Sequence, residues 1–285
     1  MSSTSDGSRP WTFYAFAAFF GLFVVFLYGP MTVIYILSFQ GPNGGLTFPM
    51  TGISLHWFHA LLAQQRTGDI VGSFGRSVML AGVVAVLTVV LSVVGGLGFR
   101  RRFRGSAIVF YLAIASLIMP GLFVGLGIAL SFQLLGLETN WFTSGLGAQL
   151  TWTLPYGLLI MFAVLGRFNR SYEEAATDLG ASPWQRLREV TLPILLPGII
   201  GVALFGFTLS YDEFPRTSLT AGSENTLPLE IWAMTTNVTS PALFAVGTVT
   251  TIVSFIAIIA ALTSISLVQR SRAQGPRRSV ERSTE

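Results

Sequence analysis

The sequence predicts an all-α integral membrane protein with six transmembrane helices and both termini on the cytoplasmic side. Three observations predict it. Of 285 residues, 52% are hydrophobic and 11% charged, less than half the charge of about 25% that a soluble domain carries. The apolar residues fall in long blocks, where a membrane crossing needs roughly 20 of them in succession. The 17 basic residues, all arginine, are segregated between alternate loops. This composition excludes an ordinary soluble enzyme and a disordered chain. The absence of cysteine excludes a disulfide framework and a thiolate metal site.

Six segments supply the spans: residues 11–39, 77–99, 106–135, 147–166, 192–210 and 241–268. The first and third exceed the hydrocarbon thickness, so tilt or kinks at Pro30 and Pro120 are expected. The first block is too long for the apolar core of a signal peptide and lacks a small-residue cleavage site, which predicts a retained helix. Pro193 and Pro197 crowd the start of the fifth span, where proline is tolerated near a helix N-terminus. Gly121, Gly125 and Gly127 give the third span a small-residue face suited to close helix packing. Trp141, Trp152 and Trp232 near span ends read as interface anchors.

Placing the N-terminus inside puts fourteen arginines on the cytoplasmic side, among them Arg100, Arg101, Arg102, Arg104, Arg167, Arg170, Arg186 and Arg188. Only Arg66, Arg76 and Arg216 remain outside. Cytoplasmic loops carry such an excess. The pI near 9.8 is thus topological, and nucleic acid is not an expected partner. The resulting organisation is a tail at 1–10, a first helix at 11–39 and an outer loop at 40–76. A five-helix core at 77–268 and a tail at 269–285 follow. Within the outer loop, Leu55, Trp57, Phe58, Leu61 and Leu62 are spaced for a short amphipathic helix at the membrane surface. His56 and His59 on it lack a third metal ligand by spacing and read as interfacial residues.

The loop at 171–193 carries the strongest signature. It predicts two short helices joined by a glycine. Ser171 with Glu174, and Ser182 with Gln185, fit capping boxes. Gly180 suits the left-handed position that ends the first helix, and Pro183 the first position of the second. Trp184, Leu187 and Val190 are spaced to share a face. Arg167, Arg170, Arg186 and Arg188 balance Glu173, Glu174, Asp178 and Glu189, so the loop is neutral and suits a docking surface.

Glu174-Ala175-Ala176, three residues, Gly180, nine residues, then Val190-Thr191-Leu192-Pro193 resembles the EAA loop of ABC-importer permeases, with valine for isoleucine as the one departure. Leu27-Tyr28-Gly29-Pro30, Arg102-Phe103-Arg104-Gly105, Ile118-Met119-Pro120 and Thr226-Leu227-Pro228-Leu229 fall in the order of similar runs in permeases of the spermidine/putrescine type. The resemblance implies a type I ABC importer permease fold in a bacterial inner membrane. It implies pairing with a second permease chain, identical or a paralogue, two ABC ATPase subunits beneath, and a periplasmic substrate-binding protein above. It makes Glu173, Glu174, Ala175, Ala176, Gly180, Ala181, Ser182, Trp184, Leu192 and Pro193 the ATPase-coupling residues. ATP and Mg would be bound by the partner ATPase; this chain has no lysine for a phosphate-binding Gly-x-x-x-x-Gly-Lys loop.

Permeases of the polyamine type resemble this chain also in an acidic pair beyond the fifth span. Tyr211, Asp212 and Glu213 are therefore candidates for the substrate pathway, attracting a cationic amine by charge and cation–π contact. Two departures, Gly121 after Pro120 and Arg216 four residues beyond Asp212, leave room for a zwitterionic solute such as an aminophosphonate or an opine. A membrane enzyme is the competing class. It would need a base or nucleophile within the spans, and these contain no His, Asp, Glu or Cys. A free-standing channel would not account for the loop.

Overall fold

The computed structural model describes residues 10–62, 68–101, 103–237 and 240–274. Most of the expected tails, and Arg102 of the quoted turn, lie outside these. Among the described residues the regular structure is helical, apart from an antiparallel bridge between Gln40 and Ile53. They form two compact units, one from the chain up to residue 67 with 234–253, the other from 68–233 with 254 onward.

In the first unit, α1 (Trp11–Leu37) is apolar all round and buries only Leu37. Trp11 and Phe26 are 78% and 80% exposed, so this helix needs lipid or protein to cover it. The chain then turns on Gln40, which is fully buried. Its Oε1 accepts from the backbone N–H of Thr51 at 2.9 Å and of Gly41 at 3.3 Å, and its Nε2 donates to Gly45 O at 3.2 Å. The expected amphipathic helix is α2 (His56–Leu62), with Leu61 buried and Phe58 against Phe39. The His56 ring meets Trp57 edge-on.

The second unit is organised by three helices: α3 (Ile70–Phe99), α6 (Ser144–Gly166) and α9 (Leu192–Tyr211). The buried side of α3 is mostly small, with Ser73, Ser77, Ala81, Val84, Ala85, Thr88, Ser92 and Gly96 beside the larger Ile70 and Leu80. Without a hydrophobic force between helices in lipid, such faces let backbones approach and gain dispersion contact. The Thr88 and Thr153 hydroxyls meet at 2.8 Å between α3 and α6. Gly157 faces Ser92 and Thr88, where a β-carbon would have no room. Met161, Leu195 and Val202 fill the remaining core.

Pro155 sits inside α6 and cannot donate to the carbonyl of Thr151 four residues back. The Ser116 hydroxyl of α4 (Ser106–Ile118) lies 2.6 Å from that oxygen and satisfies it. Carbonyls freed by proline within a membrane are expected to find such partners.

The expected third span differs most. It is two helices, α4 and α5 (Gly121–Leu134), bent by 110° at Met119-Pro120. Met119 is extended (φ −68°, ψ 132°) because a residue before proline is driven out of the helical region, and Pro120 (ψ 128°) follows it. Nor do the three glycines of α5 form one helix-packing face. A β-carbon on Gly125 would lie 2.6 Å from the Arg216 carbonyl oxygen, and one on Gly121 2.8 Å from Arg216 Nη1. Gly127 has open space around it. The first two make room for the turn at Pro215 and Arg216 that leads into the 3-10 turn, not for another long helix.

The loop 171–193 holds α7 (Ser171–Asp178) and α8 (Pro183–Gln185). Instead of closing as a second short helix, α8 continues through a π-helical stretch, Arg186–Thr191, into α9, giving one helix from Pro183 to Tyr211. Pro193 would clash with the carbonyl four residues before it in an unbroken α-helix, and the wider turns directly before it relieve that register. Beyond α9 come a 3-10 turn (Thr217–Leu219), α10 (Leu227–Asn237) and α11 (Ala242–Gln274), the last running past the expected end at 268.

Among the described residues, four helices are long and apolar enough to cross a membrane, or five if the bent pair counts as one span. The sixth expected span falls in α11, Ala242–Gln274.

The glycine contrast is directly testable. Gly125→Ala is expected to cost about 1–3 kcal/mol by overpacking. Gly127→Ala should be neutral or slightly stabilising, since alanine favours helix by about 1 kcal/mol. Thermal unfolding in detergent, compared with the unsubstituted chain, checks both.

Candidate functional site

The loop between α6 and α9 is built from local capping. Asn169 Oδ1 accepts from the Ser171 N–H at 3.0 Å, so Ser171 is the first residue of α7 and not its cap. The expected Ser171–Glu174 box is therefore replaced by an asparagine turn. At the other end Gly180 adopts φ +83°. Its N–H donates to Thr177 O at 2.9 Å, and the Ala181 N–H to Ala176 O at 3.0 Å, the paired bonds of a Schellman ending. Ser182 and Gln185 form the expected capping box on α8, at 2.8 and 3.3 Å. Arg186 Nη1 donates to the Thr177 hydroxyl at 2.7 Å, tying the second helix back to the first.

Exposure divides the candidate coupling residues. Glu174, Ala175, Gly180, Ser182 and Trp184 are exposed; Ala176, Ala181, Leu192 and Pro193 are half-buried. Trp184 and Leu187 do not share a face as expected. Trp184 is 64% exposed, whereas Leu187 turns into a cleft of about 590 Å³ that Arg100, Arg101, Arg170 and Glu174 also line. Leu179, 89% exposed, and Tyr172 join Trp184 as apolar groups facing water. Exposed apolar groups on a rigid, capped loop are what a docking partner would cover.

Glu173 is committed within the chain. Arg100 Nη1 and Nη2 donate to its two carboxylate oxygens at 2.8 and 2.7 Å, and the buried Thr191 hydroxyl adds a third bond at 2.8 Å. The Arg100 guanidinium holds the Glu173 carboxyl below the usual carboxylate range, and Glu173 in turn raises Arg100. A depressed carboxyl contributes stability above its ordinary range that is lost as the pH falls through the lowered value. The pair thus stays ionised at neutral pH. Sequence reasoning missed this contact, because Arg100 lies seventy-three residues away.

The second candidate cluster lies where α9 ends. Tyr211 stacks on Phe207 and meets Phe74 edge-on. Asp212 and Glu213 do not act as a pair. Asp212 is exposed at the helix end, whereas Glu213 is 5% exposed and turned inward. Its Oε1 accepts from the Arg216 N–H at 2.9 Å and lies 3.5 Å from Arg216 Nη1. The Arg216 guanidinium lies over the Trp152 ring, 4.4 Å from its centre. Arg216 therefore neutralises Glu213 and not Asp212, and Trp152 carries a cation where an interface anchor was expected. Gln149 holds this segment to α6 through the Ser210 and Thr217 hydroxyls. Of the three pathway candidates, Asp212 alone offers an accessible carboxylate.

Partial burial pushes the Asp212 carboxyl above its ordinary range. The folded chain then holds that proton more tightly than the unfolded one, so stability falls as pH rises through the shifted value. Asp212→Asn should therefore melt higher than the unsubstituted chain at about pH 7, with the difference shrinking toward about pH 4. Gly180→Ala should cost about 1–2 kcal/mol from its left-handed backbone, since nothing lies within 4 Å of the added carbon. Melting curves over that pH range test both.

Comparison with known proteins places this geometry. Residues 88–272 match the family described as "Binding-protein-dependent transport system inner membrane component". The putrescine transport system permease protein PotI of Escherichia coli (strain K12) is 32% identical over 232 residues, covering 78% of this chain and 80% of that one. The spermidine/putrescine transport system permease protein PotC of Haemophilus influenzae is 29% identical over 247 residues, covering 85% and 93%. Among solved structures, a bacterial ABC transporter involved in import of the acidic polysaccharide alginate superposes with a TM-score of 0.67 at 16% identity, over 91% of this chain and 96% of that one. The MetNI methionine ABC transporter, in inward-facing form, gives 0.56 at 15% identity over 70% and 95%. The helical fold is thus that of ABC importer permeases, which are transporters and not enzymes. This chain is a multi-pass membrane protein that belongs to the family of binding-protein-dependent transport system inner membrane components, the permeases of ABC importers.

Proposed function

We propose that this chain is one transmembrane half of an importer for a small aliphatic polyamine such as putrescine or spermidine. It lies in a bacterial inner membrane, with the 171–193 loop in the cytoplasm and Asp212 at the periplasmic side. It pairs with a second permease chain, identical or a paralogue, and takes its solute from a periplasmic binding protein. Two ABC ATPase subunits bind the ATP and Mg and dock on the exposed side of the loop through Glu174, Leu179 and Trp184. The observation that carries the polyamine assignment is the likeness to PotI and PotC over most of the chain, whose names give putrescine and spermidine. The exposed Asp212 suits it, since a carboxylate at the rim of a membrane is costly unless it faces water or a pathway.

A zwitterionic solute, such as an aminophosphonate or an opine, is the second reading. The internal neutralisation of Glu213 by Arg216 favours it, because it leaves one exposed carboxylate in place of two.

Uptake of labelled putrescine and spermidine by energised cells decides between them. Deletion of the chain and Gly180→Arg should each abolish uptake, with the variant still present in the membrane. Asp212→Asn should weaken uptake of the cations about tenfold, as loss of a charge-assisted contact of 1–2 kcal/mol would. Unchanged uptake in the deletion strain would defeat the polyamine assignment and turn attention to zwitterions.

A further inference from the structure

The Glu173 carboxylate touches more of the molecule than its place in an eight-residue helix suggests. Both oxygens are filled by Arg100, the residue that caps the thirty-residue helix α3, and Oε1 also takes the Thr191 hydroxyl at the head of α9. Arg100 lies over the ring of Phe168, in the turn leaving α6, at 5.2 Å. One ion pair therefore joins α7 to the ends of α3, α6 and α9, the three helices that make the core of this unit. Its neighbour Glu174 is exposed.

The pair is not placed to stabilise the fold strongly. Its side chains are 19% and 23% exposed, and ion pairs that water reaches contribute little. What it supplies is direction. A guanidinium bound through both nitrogens to both carboxylate oxygens fixes orientation as well as distance, which a point charge would not. The loop otherwise meets the spans through the turn at 167–170 on one side and the π-helical stretch on the other. Wide π turns are points of compliance, so a push on α7 would be absorbed there unless a second link bypassed them.

We propose that Arg100, Glu173 and Thr191 form that link, a clamp that carries displacement of the 171–193 loop into α3 and α9. Arg100 and Glu173 are positioning residues for transport, with Glu173 turned to the chain's own spans and Glu174 to the ATPase. This rests on the reading that an ATPase drives the loop, and the test keeps the two apart.

The chain has no cysteine, so an introduced thiol is its one maleimide site, and the label is read on this chain's own band after denaturing electrophoresis. Gly75 lies on α3 far from Arg100 along the helix and has open space around it, so Gly75→Cys reports on that helix. The rate of maleimide labelling is measured in the complex of this chain with its second permease chain and ATPase subunits, with and without ATP. In the otherwise unsubstituted background ATP is expected to change the rate severalfold, about 5-fold or more, as for a typical coupling between sites. Arg100→Glu or Glu173→Arg alone should abolish that response, and the double exchange Arg100→Glu with Glu173→Arg should restore at least half of it. Thr191→Val, which keeps the shape and removes one bond, should reduce it partway.

A response to ATP that persists in both single variants, or a double exchange that recovers nothing, would overturn the clamp. So would an intact, ATP-hydrolysing complex in which Gly75→Cys never responds. Failure to isolate any ATPase with the unsubstituted chain would instead remove the import reading, and the clamp with it. Because the response is read without solute, the outcome does not depend on which solute is carried.

Discussion

In this chain the core of the second unit depends on close approach of helix backbones, with Met161, Leu195 and Val202 packed beside it. Lipid tails are as apolar as the side chains they surround, so helices gain from each other chiefly through contact area and the hydrogen bonds they satisfy. The stripe from Ser77 to Gly96 on α3 lets α6 and α9 come near, and the Thr88–Thr153 and Ser116–Thr151 contacts occupy polar groups that hydrocarbon would leave unpaired. Both candidate clusters hang from this trio. The 171–193 loop joins the ends of α6 and α9, and the Arg216 segment is held to α6 at the opposite end of α9.

Most local features were legible in the sequence, the Ser171–Glu174 box and the separate second helix of the loop excepted, and distant ones were not. Ser182, Pro183 and Gly180 act on backbone groups within three residues, so their roles follow from residue type alone. Met119-Pro120 marked a kink, but the 110° bend places α5 against α6 and the Arg216 segment, the latter lying nearly a hundred positions further on. The same limit explains the acidic pair. Asp212 and Glu213 are neighbours in sequence, yet an arginine three residues beyond Glu213 draws that carboxylate inside and leaves the other only partly buried. Sequence adjacency carries no information on which way a side chain turns at a helix end.

The arginines serve two purposes that composition merges. Most of them enter the charge bias from which an orientation is expected. Arg100 and Arg216 are different, for each is fixed by a carboxylate and an aromatic ring: Glu173 and Phe168 for one, Glu213 and Trp152 for the other. The flat guanidinium suits both partners at once. Both enter the charge bias as plain charges, and neither contact could be anticipated from it.

The π-helical stretch between α8 and α9 has a consequence for how this loop can vary. Each residue of an α-helix advances the rotation by about 100°. A wide turn holds part of a step in reserve, so the azimuth of Trp184 about the axis of α9 is decided by the number of residues between Gln185 and Leu192. Substitution in that interval leaves the bearing of the exposed face intact. Loss or gain of one residue would swing that face around the helix by roughly a quarter of a circle, pointing Trp184 away from whatever it meets while leaving the membrane-embedded part undisturbed. Length here is an angular setting, and side-chain identity is secondary to it.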